Sequence, residues 1–329
     1  MMTTLRNKIF SVGNGEEFED AALEAFRYQY AANPVYRQFS DLVRRHGPFP
    51  EKIGEIPFLP VEFFRNHRII TGDRAVETVF ESSGTTGAIP SRHYITDLSV
   101  YEESFLRCFR LFYGEPSGYL IIALLPSYVE REGSSLVYMT RRLAMETGKT
   151  ASGFYKGKYD QIAGLARGAL DEGSAVLLLG VSFALLDLAE KGPADLSGAI
   201  VMETGGMKGR RKEMTRPELH GILTKNLNVG AIHSEYGMTE LLSQAYSKGE
   251  GLFRTPPWMK IIIRDPQDPL TIISEPGRTG GISIIDLANI NSCSFLSTGD
   301  LGRVHSGGEF EILGRFDSSD IRGCNLMAE

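Results

Sequence analysis

Residues 175–203 read AVLLLGVSFALLDLAEKGPADLSGAIVME. AVLLLG is an unbroken apolar run of about one strand's length, and AIVME is a second; such runs suit strands covered on both faces. Between them, Phe183 to Glu190 has the texture of a short covering helix. Strand, helix and strand in this order form a right-handed parallel unit. The stretch therefore predicts a parallel sheet with helices packed against it.

The alternation continues outward in both directions. Upstream, ETVF (77–80) reads as a strand, Asp97 is placed to cap a helix running through Phe112, and YLIIALL (119–125) reads as a buried strand. Helical stretches are expected from Ser134 to Thr147 and from Tyr159 to Leu170. Downstream, Lys212 to Leu227 reads as helix and VGAIH (229–233) as strand. Beyond Trp258 the texture changes to strands and tight turns: WMKIIIRD, TIIS, GGISIIDL, SFLSTGDLGRV, GEFEIL. The expected fold class is α/β, with largely parallel sheets covered by helices and a smaller β-rich C-terminal subdomain. The expected division is 1–75 (two helices broken at Asn33-Pro34, then the proline-spaced arm 48–65), 76–255 (the α/β region) and 256–329 (the β-rich region).

Composition excludes several classes. With 35 Lys+Arg against 41 Asp+Glu the formal charge is -6, so no global positive field exists for nucleic acid or an anionic membrane. Cys108, Cys293 and Cys324 are too scattered for a disulfide framework or a zinc site. His46, His67 and His93 carry no metal spacing. No apolar run reaches the ~18 residues of a membrane span, and the expectation is a soluble cytoplasmic protein whose partners are small molecules or proteins.

Ser82-Ser83-Gly84-Thr85-Thr86-Gly87 follows a strand and has the composition of a phosphate cradle. Its glycines let backbone N–H groups converge on an anion, and four hydroxyls add neutral donors. It is not a Walker A loop, because Gly148-Lys149-Thr150 has Leu143 where the leading glycine should be. A competing nucleophile reading rests on Gly180-Val181-Ser182-Phe183-Ala184, a strand-to-helix turn like a nucleophile elbow, with Ala in place of the second glycine. The simpler role for Ser182 is a helix cap, with Phe183 lining an acyl pocket. A non-catalytic nucleotide-binding scaffold is the third class.

In sequence order, SSGTTG, Gly205-Gly206, Tyr236-Gly237-Met238-Thr239-Glu240, Ser297-Thr298-Gly299-Asp300 and Gly314-Arg315-Phe316-Asp317 resemble the signature series of the adenylate-forming enzymes. The resemblance implies that residues 82–87 hold the ATP phosphates and that Gly205 and Gly206 pack close to adenine. It further places Tyr236 beside adenine, Thr239 at the α-phosphate, Glu240 on Mg²⁺, and Asp300 and Arg315 at the ribose, with Asp317 at a hinge. IPFLPVEFFR, IPSRHYIT and LGRFDSSDIRGCNLM narrow the likeness to the acyl-protein synthetases of the LuxE type. That narrower resemblance implies ATP and Mg²⁺ as cofactors, a fatty or other carboxylic acid as substrate, and Cys324 as acyl carrier. It also implies an acyl reductase or acyl-carrier partner and no C-terminal lid domain. At Ser91-Arg92 the common loop carries a lysine instead. Lys208, Arg210 and Arg211 are the candidate cations for the α-phosphate.

Overall fold

The computed structural model describes residues 2–45, 47–82, 89–126, 133–191, 195–206, 211–212 and 214–316, with side chains from Leu5 onward. Strands Tyr119–Leu124, Ala175–Val181, Ile200–Thr204 and Ile232–Tyr236 lie side by side and parallel, with Gly153–Phe154 outside the first. Successive side chains point to opposite faces. Leu120, Ile122, Leu124 and Leu178 therefore join helices Tyr159–Asp171, Ser182–Glu190 and Arg216–Leu227, whereas Ile121 and Leu177 share a core with helices Leu98–Tyr113 and Ser135–Glu146. Burial on both faces is why Tyr119–Leu124 and Ala175–Val181 read as continuous apolar runs, each buried leucine contributing roughly 2 kcal/mol.

Past Tyr236 the sheet continues but changes sense. Ala245–Ser247 pairs antiparallel to Ile232–Tyr236, followed across the sheet by Phe253–Arg254, Phe310–Arg315, Phe295–Val304, Gly280–Asp286, Met259–Arg264 and Ile272–Ile273. The fold is thus α/β with a β-rich C-terminal part, as expected, and hydrogen bonds join the two textures into one mixed sheet. Gly302 sits where the register shifts, and a β-carbon there would lie 2.3 Å from the Glu311 carbonyl oxygen. Only glycine lets the Phe295–Val304 and Phe310–Arg315 strands approach so closely.

The N-terminal segment braces this sheet. Helices Gly15–Ala32 and Pro34–Arg44 meet at Asn33, whose side chain accepts the Tyr36 N–H. Gln29 and Asn33 are buried, and their amides donate to the carbonyls of Asn289, Ile290 and Ser292, fixing the short helix Leu287–Asn291. The arm adds strand Leu59–Pro60 parallel to Phe295–Val304, with Leu59 opposite Leu296. An additional helix, Met2–Phe10, precedes these elements.

Two local expectations change in detail. Asp97 occupies the N-cap position of Leu98–Tyr113 but its carboxylate binds Ser99 and Arg74, and Glu77 accepts the Leu98 N–H instead. Ser182 is the first residue inside its helix, and Val181 is the cap. Among the described residues no helix is long and apolar enough to cross a membrane.

Candidate active site

In open α/β sheets ligands bind beyond the carboxyl ends of the parallel strands. Gly205 and Tyr236 stand at two of those ends. The Tyr236 ring packs against Phe253 and Phe310 with centroids 6.2 and 5.9 Å away, crossing toward the β-rich part. Its hydroxyl donates to Asp300 Oδ2 at 2.7 Å. Arg315, opposite Asp300 on the neighbouring strand, places Nε 3.2 Å from Asp300 Oδ1 while most of its side chain stays exposed. Three residues drawn from separate motifs therefore meet at one carboxylate.

Burial raises the Asp300 carboxyl above its ordinary range, and the Tyr236 hydroxyl and Arg315 guanidinium offset part of the rise. The strand carrying Asp300 is held from beneath by Arg264, which donates to Ser297 Oγ at 2.7 Å and to the Thr298 carbonyl at 2.6 Å. Thr298 Oγ1 in turn accepts the Asp300 N–H at 3.1 Å.

The turn after Tyr236 forms a second centre. A β-carbon on Gly237 would lie 2.5 Å from Glu235 Oε1, so a side chain here would have to displace the Glu235 carboxylate. Glu240 is 7% exposed, and burial raises its carboxyl against the opposing pull of the Ser91 hydroxyl and its own backbone N–H. Ser91 is also tied to Ser82: the Ser82 N–H donates to the Ser91 carbonyl at 3.0 Å and the Ser91 N–H to Ser82 Oγ at 2.8 Å. The neck of the 82–91 segment is thereby closed beside Glu240. Ser83, Gly84, Thr85, Thr86 and Gly87 lie outside the described residues.

The backbone of this turn has its own supports, which the sequence did not disclose. His93 Nδ1 lies 2.9 Å from the Thr239 carbonyl, and Asn289 donates to the Glu240 carbonyl at 2.6 Å. Asp286, fully buried, accepts the N–H groups of Leu242 and Ser243 at 2.8 and 2.9 Å. In sequence Asp286 is one residue of the strand-and-turn stretch GGISIIDL, and His93 carries no metal spacing. Neither spacing nor composition marks either as a support for a turn far along the chain.

Gly205 adopts φ +63, and its carbonyl accepts the Ser182 hydroxyl at 2.9 Å; Gly206 follows it in open space. The surroundings of Ser182 do not make a catalytic triad. Ser182 is 2% exposed and lies 3.4 Å from Glu203, while His220 reaches only the far oxygen of Glu203 at 3.7 Å. The carboxylate stands between serine and histidine, whereas general-base activation needs the imidazole against the hydroxyl. Of the candidate cations, Arg211 is held by Asp187 and Glu190. Lys208, Arg210, Asp317 and Cys324 lie outside the described residues.

Glu240 presents one buried carboxylate beside Ser91, the kind of single oxygen donor that a magnesium ion accepts. Mg²⁺ commonly takes one or two carboxylates and completes its shell with phosphate oxygens and water. Among the described residues no group of three or more His, Cys, Asp or Glu could hold a metal by itself.

No protein-family model matches the chain, and no curated protein does. Solved structures do. ATP-bound MatB from Rhodopseudomonas palustris matches at TM-score 0.53 and 19% identity, covering 74% of this chain and 50% of that one. A long-chain-fatty-acid-CoA ligase, FadD1 from Archaeoglobus fulgidus, matches at TM-score 0.51 and 16% identity, covering 73% and 51%. The amide bond synthetase McbA from Marinactinospora thermotolerans matches at 0.51 and 18%, covering 75% and 50%. The chain spans about half the length of these structures, and over that half it shares their fold.

Proposed function

We propose that the protein activates a carboxylic acid with ATP as an acyl-adenylate and transfers the acyl group to a protein thiol. The observation that carries this reading is the contact of Tyr236, Asp300 and Arg315, since it joins the motifs that the resemblance assigns to adenine and ribose. The fold shared with ATP-bound MatB supports it.

In this reading residues 82–87 cradle the phosphates, and Tyr236, Gly205 and Gly206 border the adenine. Asp300 and Arg315 orient the ribose. The substrate carboxylate oxygen attacks the α-phosphorus as the bond to pyrophosphate breaks, with Thr239 beside the α-phosphate. Bound through Glu240, Mg²⁺ would supply charge neutralisation on the phosphates. Ser91 orients the Glu240 carboxylate for that task. The Cys324 thiolate then attacks the acyl carbonyl, the carbon–oxygen bond to AMP breaks, and a thioester remains. A fatty acid is the proposed substrate and an acyl reductase or carrier the proposed onward partner.

Incubation with ATP, Mg²⁺ and a labelled fatty acid tests the transfer. The protein should acquire a hydroxylamine-labile label that Cys324→Ser abolishes. Persistence of the label in that variant would remove Cys324 from the mechanism, and its loss in Ser182→Ala alone would favour a serine acyltransferase.

A further inference from the structure

The N-terminal arm carries a cation to the Glu240 turn. Strand Leu59–Pro60 runs beside Phe295–Val304, and the Val61 N–H donates to the Ser297 carbonyl at 3.0 Å. A single helical turn, Phe63–Asn66, follows at once. Phe64 is fully buried there, its ring edge-on to His93 with centroids 5.4 Å apart, and His93 in turn meets the Thr239 carbonyl. The arm is therefore fastened on one side to the strand that carries Asp300 and on the other behind the 239–240 turn. Glu62 and Arg65, three residues apart, share a face of this helical turn and are exposed.

Charge tells where that face stands. Burial is the largest influence on the Glu240 carboxyl and raises it, while Arg65 pulls it down and Glu62 adds to the rise. Burial lowers Arg264, which holds the Asp300 strand, and Glu62 offsets part of that fall. The exposed face of the arm thus lies within electrostatic reach of both the Glu240 carboxylate and Arg264. The other cations around it are committed. Arg92 pairs with Glu81 at 3.0 Å, Arg68 lies over the Tyr94 ring at 5.4 Å, and Arg264 donates to Ser297 and Thr298. Among the described residues the Arg65 guanidinium has no hydrogen bond, ion pair or ring contact. It keeps its whole fork of N–H donors for a ligand, on a backbone anchored by its neighbours.

We propose that Arg65 binds the polyphosphate end of ATP, reaching it from the N-terminal arm beside Glu240. The guanidinium fork matches phosphate oxygens, two N–H groups to two oxygens. When the bond from the α-phosphorus to the pyrophosphate oxygen breaks, that oxygen keeps the electron pair, and Arg65 stabilises the charge that leaves with it. The inference deepens the nucleotide reading and rests on it for the placing of the phosphates between the 82–91 neck and Glu240.

Calorimetric titration of the whole protein with ATP, inorganic pyrophosphate and AMP, each with Mg²⁺, tests this without any turnover. Arg65→Ala should weaken ATP and pyrophosphate about 10- to 100-fold, the effect of losing a hydrogen bond to a charged group, and leave AMP little changed. Asp300→Ala should do the reverse, weakening ATP and AMP and sparing pyrophosphate. Arg65→Lys, which keeps the charge and loses the fork, should fall between Arg65→Ala and wild type. Arg68→Ala removes an equal charge one helical turn away and should alter none of the three. Unchanged ATP and pyrophosphate affinity in Arg65→Ala, an equal loss of AMP, or an equal loss in Arg68→Ala would overturn the proposal. Pyrophosphate bound through Arg65 by a protein that binds neither ATP nor AMP would sink the nucleotide reading and leave Arg65 as a polyphosphate ligand. ATP bound equally well without Arg65 would do the opposite.

Discussion

Burying Asp300 raises its carboxyl, and the groups around it decide what that carboxyl can do. Tyr236 and Arg315 each engage one oxygen, which fixes the plane of the carboxylate toward the proposed sugar. Asp300→Ala should weaken ATP binding by about 1.5–3 kcal/mol, the range for a hydrogen bond to a charged group. Calorimetry measures this, and an unchanged affinity would take Asp300 out of the site. Glu235 presents a different case. It bonds to Thr204, and burial, its largest influence, lifts its pKa from an ordinary 4.5 to about 7. Below the unfolded value the carboxyl is protonated in both states and its contribution is complete. As pH rises toward 7 the unfolded chain ionises first, so that stability is lost, by about 3 kcal/mol in all. Glu235→Gln should flatten the fall in Tm between about pH 5 and pH 7; a variant whose pH profile overlies that of wild type would show that this carboxyl does not titrate there.

At the scale of elements, legibility followed burial. Strands Tyr119–Leu124 and Ala175–Val181 were readable because both of their faces are covered by apolar cores. Strand Ile232–Tyr236 runs three residues past the expected VGAIH, because Ser234 and Glu235 are polar yet buried, and a hydrophobic pattern cannot register a carboxyl satisfied by Thr204 on the next strand. The motifs themselves were visible as words, but the Tyr236–Asp300 contact spans 64 positions and no local spacing encodes it. Supports such as His93, Asn289 and Asp286 were invisible for the same reason. Gly302 is the point where one element position controls the site. A β-carbon there would meet the Glu311 carbonyl at 2.3 Å and Ile282 at 2.7 Å, so Gly302→Ala must push apart the strands that carry Asp300 and Arg315. We expect a loss of about 1–3 kcal/mol in denaturant unfolding, accompanied by weaker nucleotide binding. A neutral substitution would mean that these strands adjust without cost.

On the scale of the whole molecule, the mixed sheet brings distant segments of the chain together. Its parallel half carries Tyr236, its antiparallel half carries Asp300 and Arg315, which meet it, and the N-terminal helices hold the Leu287–Asn291 segment against the Glu240 turn. That arrangement has a single chemical consequence if the nucleotide reading is right: the α-phosphate of ATP becomes open to reversible attack by a carboxylate. Exchange of labelled pyrophosphate into ATP, measured across a panel of carboxylic acids with wild type and Asp300→Ala, tests this most directly. Exchange that requires both an acid and Mg²⁺, and that falls with the nucleotide affinity of the Asp300 variant, is the predicted result. Nucleotide binding without acid-dependent exchange for any acid in the panel would contradict it.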